Sequence, residues 1–334
     1  MSSSPVSPAI ELVGLTKAFG SCVANDGVTL SVKAGTIHGI VGENGAGKST
    51  AMKMLYGIYG PDTGEIRVDG VARRWASPSE AIAAGIGMVH QHFMLAGPYT
   101  ALENVLLGAE PSSARTKWLP RWLRPVDRKG ARRKLEELSR QYKLPVDWVA
   151  PVEELPVGIQ QRIEILKLLY RDARIMILDE PTAVLTPQET QELFQQLRKL
   201  RDEGKTILII THKLKEVMSF TDRVTVFRAG RVTGEVDTSQ TSPQHLADLM
   251  VGRKVVLSVD VPARPDGLER AKPIFEARGL SLQSAHAPHG KAEGHQREHG
   301  YESRHRLQNL SLSLIHISEP TRLRRISYAV FCLK

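Results

Sequence analysis

Cysteine is scarce: Cys22 and Cys332 are the only two in 334 residues. Two thiols cannot build the disulfide framework on which small secreted domains depend, so a reducing compartment is the expectation. Long hydrophobic runs are also lacking. No stretch reaches the ~18 consecutive apolar residues of a membrane-spanning helix. Met1 to Pro8 is rich in Ser and Pro and has no basic start followed by an apolar core, which argues against a secretory signal. Residues 1–9 are expected to form no element. There is an excess of positive charge, 45 Lys and Arg against 36 Asp and Glu, for a net +9. The basic residues are scattered, however, and nucleic acid is not expected as a partner. What remains is ordinary for a globular protein, with 41% hydrophobic and 24% charged residues.

From Ile10 to about Arg253 the chain reads as alternating strands and helices. Three apolar runs, Thr36–Val41, Ile175–Leu178 and Thr206–Ile210, are continuous rather than alternating. That pattern suits parallel strands covered on both faces. A helix is expected to open at Lys48, with Met52, Met54 and Leu55 facing the core. Another spans Gln188–Arg201: Thr186 reads as its N-cap, Pro187 as its first residue, Glu189 as the capping-box partner and Gly204 as its stop. Asp127–Tyr142 reads as a charged helix within a more helical section from about 98 to 169. Val224–Phe227 and Arg231–Gly234 flank Ala229-Gly230 as a hairpin, and His245–Met250 reads as a closing helix.

The segment Gly42-Glu-Asn-Gly-Ala-Gly-Lys-Ser49 fits G-x-x-x-x-G-K-[ST] between a strand and a helix. Its glycines let successive backbone N–H groups converge on phosphate oxygens, and the helix N-terminus adds a partial positive charge. Lys48 is placed to reach the outer phosphates, and the Ser49 hydroxyl to ligate Mg²⁺. Downstream, Arg174-Ile-Met-Ile-Leu-Asp-Glu180 delivers two acids to the end of a strand. Asp179 suits the magnesium or its waters. Glu180 suits orientation or deprotonation of an attacking water.

Together these two segments resemble the ATP-binding cassette family, with residues 10–253 covering one nucleotide-binding domain. The resemblance implies an α/β P-loop NTPase fold: a mostly parallel core sheet, an antiparallel β subdomain and a helical subdomain. It implies ATP and Mg²⁺ held by Phe19 (stacking on adenine), Gly42, Asn44, Gly45, Gly47, Lys48, Ser49, Thr50 and Asp179, with Ser49, Gln91 and Asp179 about the metal. Glu180, His212 and Gln91 take the catalytic and γ-phosphate-sensing roles. Read from the residues alone, Phe19 fits the core equally well. The family's signature segment, which closes on the ATP of a partner cassette, corresponds to Leu155-Pro-Val-Gly-Ile159, with Leu155, Gly158 and Gln160 as its contacts. Pro156 stands where the family usually has Ser, removing a hydroxyl and an N–H. Where the family's D-loop usually carries Asp, this chain has Thr186.

Gly87–Met94, Glu103–Gly108 and Asp179–Glu189 are similar to the corresponding segments of nucleoside and simple-sugar importers. That resemblance implies an ATPase subunit on the cytoplasmic face of the inner membrane, coupled to transmembrane permease subunits and indirectly to a solute-binding protein. Such subunits carry two tandem cassettes. Pro273–Leu282 resembles the first strand of a second cassette, as does Leu307–Leu310, so 254–311 reads as linker plus stub. Rival readings are a soluble cassette protein acting on ribosomes or nucleic acid, and an ATP-binding fragment without turnover. His286-Ala-Pro-His289 and its neighbours could form a metal site, but a solvated linker is the preferred expectation. Leu312–Arg322 resembles the translation of a transposase-type sequencing adapter, and Ile326–Leu333 that of the flow-cell sequence following it. Residues 312–334 are therefore expected to be library-derived.

Overall fold

The computed structural model describes residues 8–91, 93–111 and 126–254 in full, and the backbone of 275–280, 310–314 and 332–333. The chain divides into two units, Met1–Leu257 and Ser258–Lys334.

In the first unit the continuous apolar runs become the interior of a six-stranded sheet. It contains β3 (Ile37–Gly42), β6 (Ile86–Val89), β7 (Ile175–Asp179), β8 (Thr206–Thr211), β9 (Arg223–Arg228) and β10 (Arg231–Asp237). The spatial order is β10-β9-β3-β8-β7-β6. Every pairing from β9 to β6 is parallel, and only β10 runs antiparallel, at the edge. Every residue of β3, β7 and β8 is buried, as the lack of alternation predicts. Ala229 and Gly230 turn the β9–β10 hairpin with φ of 46° and 78°. Two consecutive positive φ values are what a type I′ turn requires.

A second, antiparallel sheet is formed by β1 (Pro8–Phe19), β2 (Cys22–Lys33), β4 (Thr63–Val68) and β5 (Val71–Arg73), ordered β2-β1-β4-β5. Here the expected boundary of the unstructured N-terminus needs correction, because Pro8 and Ala9 already belong to β1. Ala9 is buried, and its carbonyl accepts the Asp69 amide at 3.0 Å, so leaving the strand would unpair both.

Helix α1 (Lys48–Leu55) runs from the phosphate-loop motif with Met52, Met54 and Leu55 fully buried. After α2 (Pro78–Ala83), the section from 98 to 170 carries α3 (Ala101–Leu106), α4 (Arg128–Gln141) and α5 (Val157–Tyr170). Helix α6 (Pro187–Asp202) has the expected reciprocal capping box between Thr186 and Glu189, and Gly204 follows its end at φ 90°. Helices α7 (Leu214–Phe220) and α8 (Pro243–Val251) complete the unit. Two large apolar clusters form the core, one centred on α5, α6 and α3 and the other on α1, β1, β2 and β4.

In the second unit, β11 (Phe275–Leu280), β12 (Leu310–Leu314) and β13 (Cys332–Leu333) form a small antiparallel sheet. Strand β12 crosses the boundary expected after Ser311. The histidine-rich stretch from His286 to His305 lies outside the described residues.

Candidate functional site

Parallel strands end on a common edge, and the motif residues collect there. Gly42 closes β3, Asp179 closes β7, His212 follows β8, and Gln91 lies two residues beyond β6. The register sets Val89 against Leu178 and Asp179 against Ile210, so these ends are level. This edge is where ligands bind in open α/β sheets.

The loop after β3 has little room for side chains. A Cβ on Gly42 would sit 2.4 Å from the Phe227 carbonyl oxygen, and one on Gly47 2.4 Å from that of Ala24. Gly47 is also left-handed at φ 94°, as is Gly45 at 81°. Gly47 is the N-cap of α1 and offers no side-chain acceptor, which leaves the first amides of the helix free for an anion. Asn25 Nδ2 donates to the Gly47 carbonyl at 3.2 Å and braces the loop from β2. Lys48 is buried, and its Nζ donates to the carbonyls of Gly42 and Glu43, each at 2.9 Å. Burial depresses the Lys48 pKa, and the nearby Glu180 and Asp179 oppose that shift. The ammonium therefore spans the loop that it would use to hold a phosphate.

The Ser49 hydroxyl donates to Asp179 Oδ1 at 3.3 Å. Burial pushes the Asp179 carboxyl above its usual range, partly offset by that hydrogen bond. A desolvated carboxylate beside a hydroxyl at a helix N-terminus fits a hard cation shared with phosphate oxygens. Among the described residues no cluster of three or more His, Cys, Asp or Glu could hold a metal alone. Magnesium completed by a nucleotide fits this donor set, whereas an all-protein metal cage does not. Glu180 adopts φ 52°, with its amide donating to Ile210 O at 2.9 Å, and its Oε1 lies 2.7 Å from His212 Nδ1.

Other sequence-derived positions are less closely joined to this centre. Gln91 is exposed and forms no hydrogen bond to Ser49 or Asp179. Phe19 is 45% exposed, with Tyr59 edge-on at 5.2 Å, so the core alternative is corrected: it is a surface ring. Asn44 and Thr50 lie within the loop and the first turn of α1. In the signature segment, α5 begins at Val157, one residue before Gly158, with Pro156 as an N-cap that makes no side-chain bond. Gly158 thus lies inside the first turn rather than ahead of the helix. A Cβ there would meet Glu189 Oε1 at 2.7 Å. Gln160 Nε2 returns to the Leu155 carbonyl at 3.0 Å.

Several residues that hold the site had no signal in the sequence. Gln161 Nε2 donates to Pro181 O at 2.5 Å, and Lys213 Nζ donates to Thr182 O at 2.8 Å. Thr182 Oγ1 in turn donates to Glu216 Oε2 at 2.6 Å. These bonds fix the turn after Glu180 from two sides, α5 and the start of α7. No motif spacing marks them.

This edge, with its glycine loop, paired Ser49 and Asp179, and Glu180 beside His212, defines a P-loop nucleotide-binding cassette. The ABC transporter family profile matches residues 25–183. The chain carries an ABC transporter ATPase domain. It is 47% identical over 293 residues to the glucose import ATP-binding protein TsgD13 of Haloferax volcanii, covering 82% of this chain and 52% of that protein. It is 48% identical over 283 residues to the nucleoside import ATP-binding protein NupA of Lactococcus lactis, covering 82% and 54%. The chain thus spans about half the length of the curated relatives it matches. Among solved structures, a nucleotide-free ATP-binding cassette from an ABC transporter superposes with a TM-score of 0.60 at 26% identity, covering 69% of this chain and 91% of that one. A dimeric bacterial ABC transporter cassette gives 0.58 at 27%, covering 69% and 98%.

Proposed function

We propose that this chain is the ATP-hydrolysing part of an importer for a nucleoside or simple sugar, working at the cytoplasmic face of the inner membrane against permease subunits. The observation that carries the catalytic half is the pairing of Ser49 with Asp179 and of Glu180 with His212 on the edge that also bears the phosphate loop. Similarity to import ATP-binding proteins for glucose and nucleosides supports the transport half.

Lys48 and the amides of the loop hold the phosphates, and Phe19 offers a ring to the base. Ser49, Asp179 and Gln91 hold magnesium, which neutralises charge on the outer phosphates when bound. Glu180 orients a water or takes its proton, and His212 keeps that carboxylate in place and meets the γ-phosphate. Leu155, Gly158 and Gln160 face the nucleotide of a second cassette. The resemblance of Pro273–Leu282 to the first strand of a cassette supports 254–311 as the linker and start of that second cassette. A solute-binding protein joins the complex indirectly, and nucleic acid has no part.

Magnesium-dependent nucleotide binding and phosphate release by the purified chain test the catalytic half. Co-purification with a permease tests the transport half, and recovery on ribosomes instead would refute it. One observation favours a second reading, ATP binding without turnover: Pro156 gives α5 no side-chain cap and no amide. Phosphate release that stays at background over a wide range of protein concentration would select it.

A further inference from the structure

Two consecutive residues after β8 grip the turn that follows β7. His212 meets the Glu180 carboxylate, and Lys213 meets the main chain two residues further on. The Lys213 ammonium has three N–H groups to place. Three oxygens surround it: Thr182 O at 2.8 Å, Thr182 Oγ1 at 3.2 Å and Glu216 Oε1 at 3.2 Å. Thr182 is only 1% exposed, and its hydroxyl donates to Glu216 Oε2 at 2.6 Å. The three residues thus close a ring of polar contacts over the turn. At its base, Thr211 Oγ1 accepts the Lys213 amide at 3.1 Å.

The needs of α7 do not explain this lysine. Lys213 is the N-cap of that helix and supplies no side-chain acceptor. Helix N-caps favour Ser, Thr, Asp or Asn, and a cation there opposes the helix dipole. Glu216 stands third in the helix, where a capping-box glutamate would turn back to the N-cap amide, yet it meets Lys213 Nζ and the Thr182 hydroxyl instead. The turn, by contrast, needs holding. Glu180 is left-handed at φ 52°, and its carbonyl accepts the Ala183 amide at 3.1 Å. Such a backbone persists only where its surroundings enforce it. The pairing of Asp179 with Ile210 holds the near side, and Lys213 holds the far side at Thr182.

We propose that Lys213 is a positioning residue for hydrolysis: through Thr182, and with Glu216, it keeps Glu180 in the left-handed conformation that aims its carboxylate. The inference rests on the ATPase reading above. Lys213 acts only through Glu180, which separates it from a residue that merely supports the fold.

Two measurements on the full chain test this. In nucleotide-free protein, amide hydrogen exchange at Glu180 and Ala183 should quicken ~10-fold or more in Lys213→Met, the scale of losing hydrogen bonds from a charged group. Lys213→Arg keeps the cation and should restore most of the protection. Phosphate release should fall ~10-fold or more in Lys213→Met, since a slightly misplaced catalytic group carries that cost, while nucleotide affinity stays unchanged. Lys213→Arg should recover most of the rate. Added to Glu180→Gln, Lys213→Met should lower the residual rate no further, because the route through Glu180 is already cut. Unchanged exchange at both amides, a wild-type rate in Lys213→Met, or a second full loss in the double variant would overturn the proposal. Should Lys213→Met fail to fold, Thr182→Val decides by the same exchange and rate measurements. A wild type that neither binds nucleotide nor releases phosphate would instead sink the ATPase reading, while exchange at Glu180 and Ala183 still decides whether Lys213 holds the turn.

Discussion

His212 Nδ1 and Glu180 Oε1 lie 2.7 Å apart, linking the ends of β8 and β7 across the floor of the site. Glu180 holds this contact from a left-handed backbone, φ 52°, a conformation that costs a non-glycine residue on the order of 1 kcal/mol or more. Strain that persists because the surroundings enforce it marks a residue whose direction matters. Glu180→Gln keeps the shape and the contact to His212 but removes the base. It should retain ATP binding and lose turnover by ~100-fold or more, the usual scale of general-base catalysis. Equilibrium binding alongside phosphate release checks this, and hydrolysis at the wild-type rate would remove Glu180 from that role.

Lys48 spans the loop through two carbonyls of its own segment, Gly42 O and Glu43 O. Lys48→Met should therefore loosen the loop and remove the charge in one step. Loss of charge-assisted hydrogen bonds predicts nucleotide binding weakened by about 10- to 100-fold. A fluorescent nucleotide titration measures it, and an unchanged affinity would show that the loop amides suffice.

Gly47 has two independent reasons to be glycine: φ of 94° and a carbonyl 2.4 Å from where a Cβ would stand. Gly47→Ala should destabilise the fold by at least about 2 kcal/mol, since backbone strain and a clash with main chain add. Chemical denaturation checks this. Gly45 is a useful contrast, because it is also left-handed but has open space around its Cβ position, so Gly45→Ala should cost less.

How much of this could be read in the sequence follows from the range of the interactions. The α6 caps were legible because Thr186, Glu189 and Gly204 act within one turn of the helix ends they close. The phosphate loop and the Asp179–Glu180 pair were legible because both sit at strand ends with fixed spacing. Asn25 and Gln161 were not, because what each does depends on a partner brought near by the fold: Gly47 from 22 residues away, and Pro181 from 20. The antiparallel sheet came from family resemblance and not from periodicity. Register shifts along β1, between Leu12 and Leu15 and again at Lys17, break the two-residue alternation that would have exposed it.

His38 illustrates a long-range contact with a measurable pH signature. It sits fully buried in β3, with Nε2 2.7 Å from Thr225 Oγ1 in β9 and Nδ1 unpartnered. Burial, with Arg223 adding, lowers its pKa from 6.5 to about 4. The folded form thus resists a proton that the unfolded chain accepts. Its contribution is intact above pH ~6.5 and is lost as pH falls from there towards 4. Relative to the non-titrating His38→Asn, the wild type should lose about 2 kcal/mol of stability between pH 7 and pH 5. Urea unfolding of both proteins at the two pH values measures it, and parallel losses would refute the linkage.

Pro156 is the position where this chain departs from the signature pattern, and the structure shows what a serine would regain. The backbone at Pro156 is extended, φ −54° and ψ 148°, which suits an N-cap, and its carbonyl already accepts the Ile159 and Gln160 amides. What is missing is a side-chain acceptor in the first turn, where the Gly158 amide has no bond to the Pro156 carbonyl. Pro156→Ser needs no change of backbone. It should stabilise the domain by about 1 kcal/mol, the usual worth of a serine cap, seen as a rise in Tm. If Leu155, Gly158 and Gln160 face a partner's nucleotide, the same hydroxyl adds a donor toward the γ-phosphate. Phosphate release should then rise, and rise more steeply with protein concentration, because the gain needs two cassettes to meet. A higher Tm with unchanged turnover would confine Pro156 to helix capping and separate the signature of this chain from its catalysis.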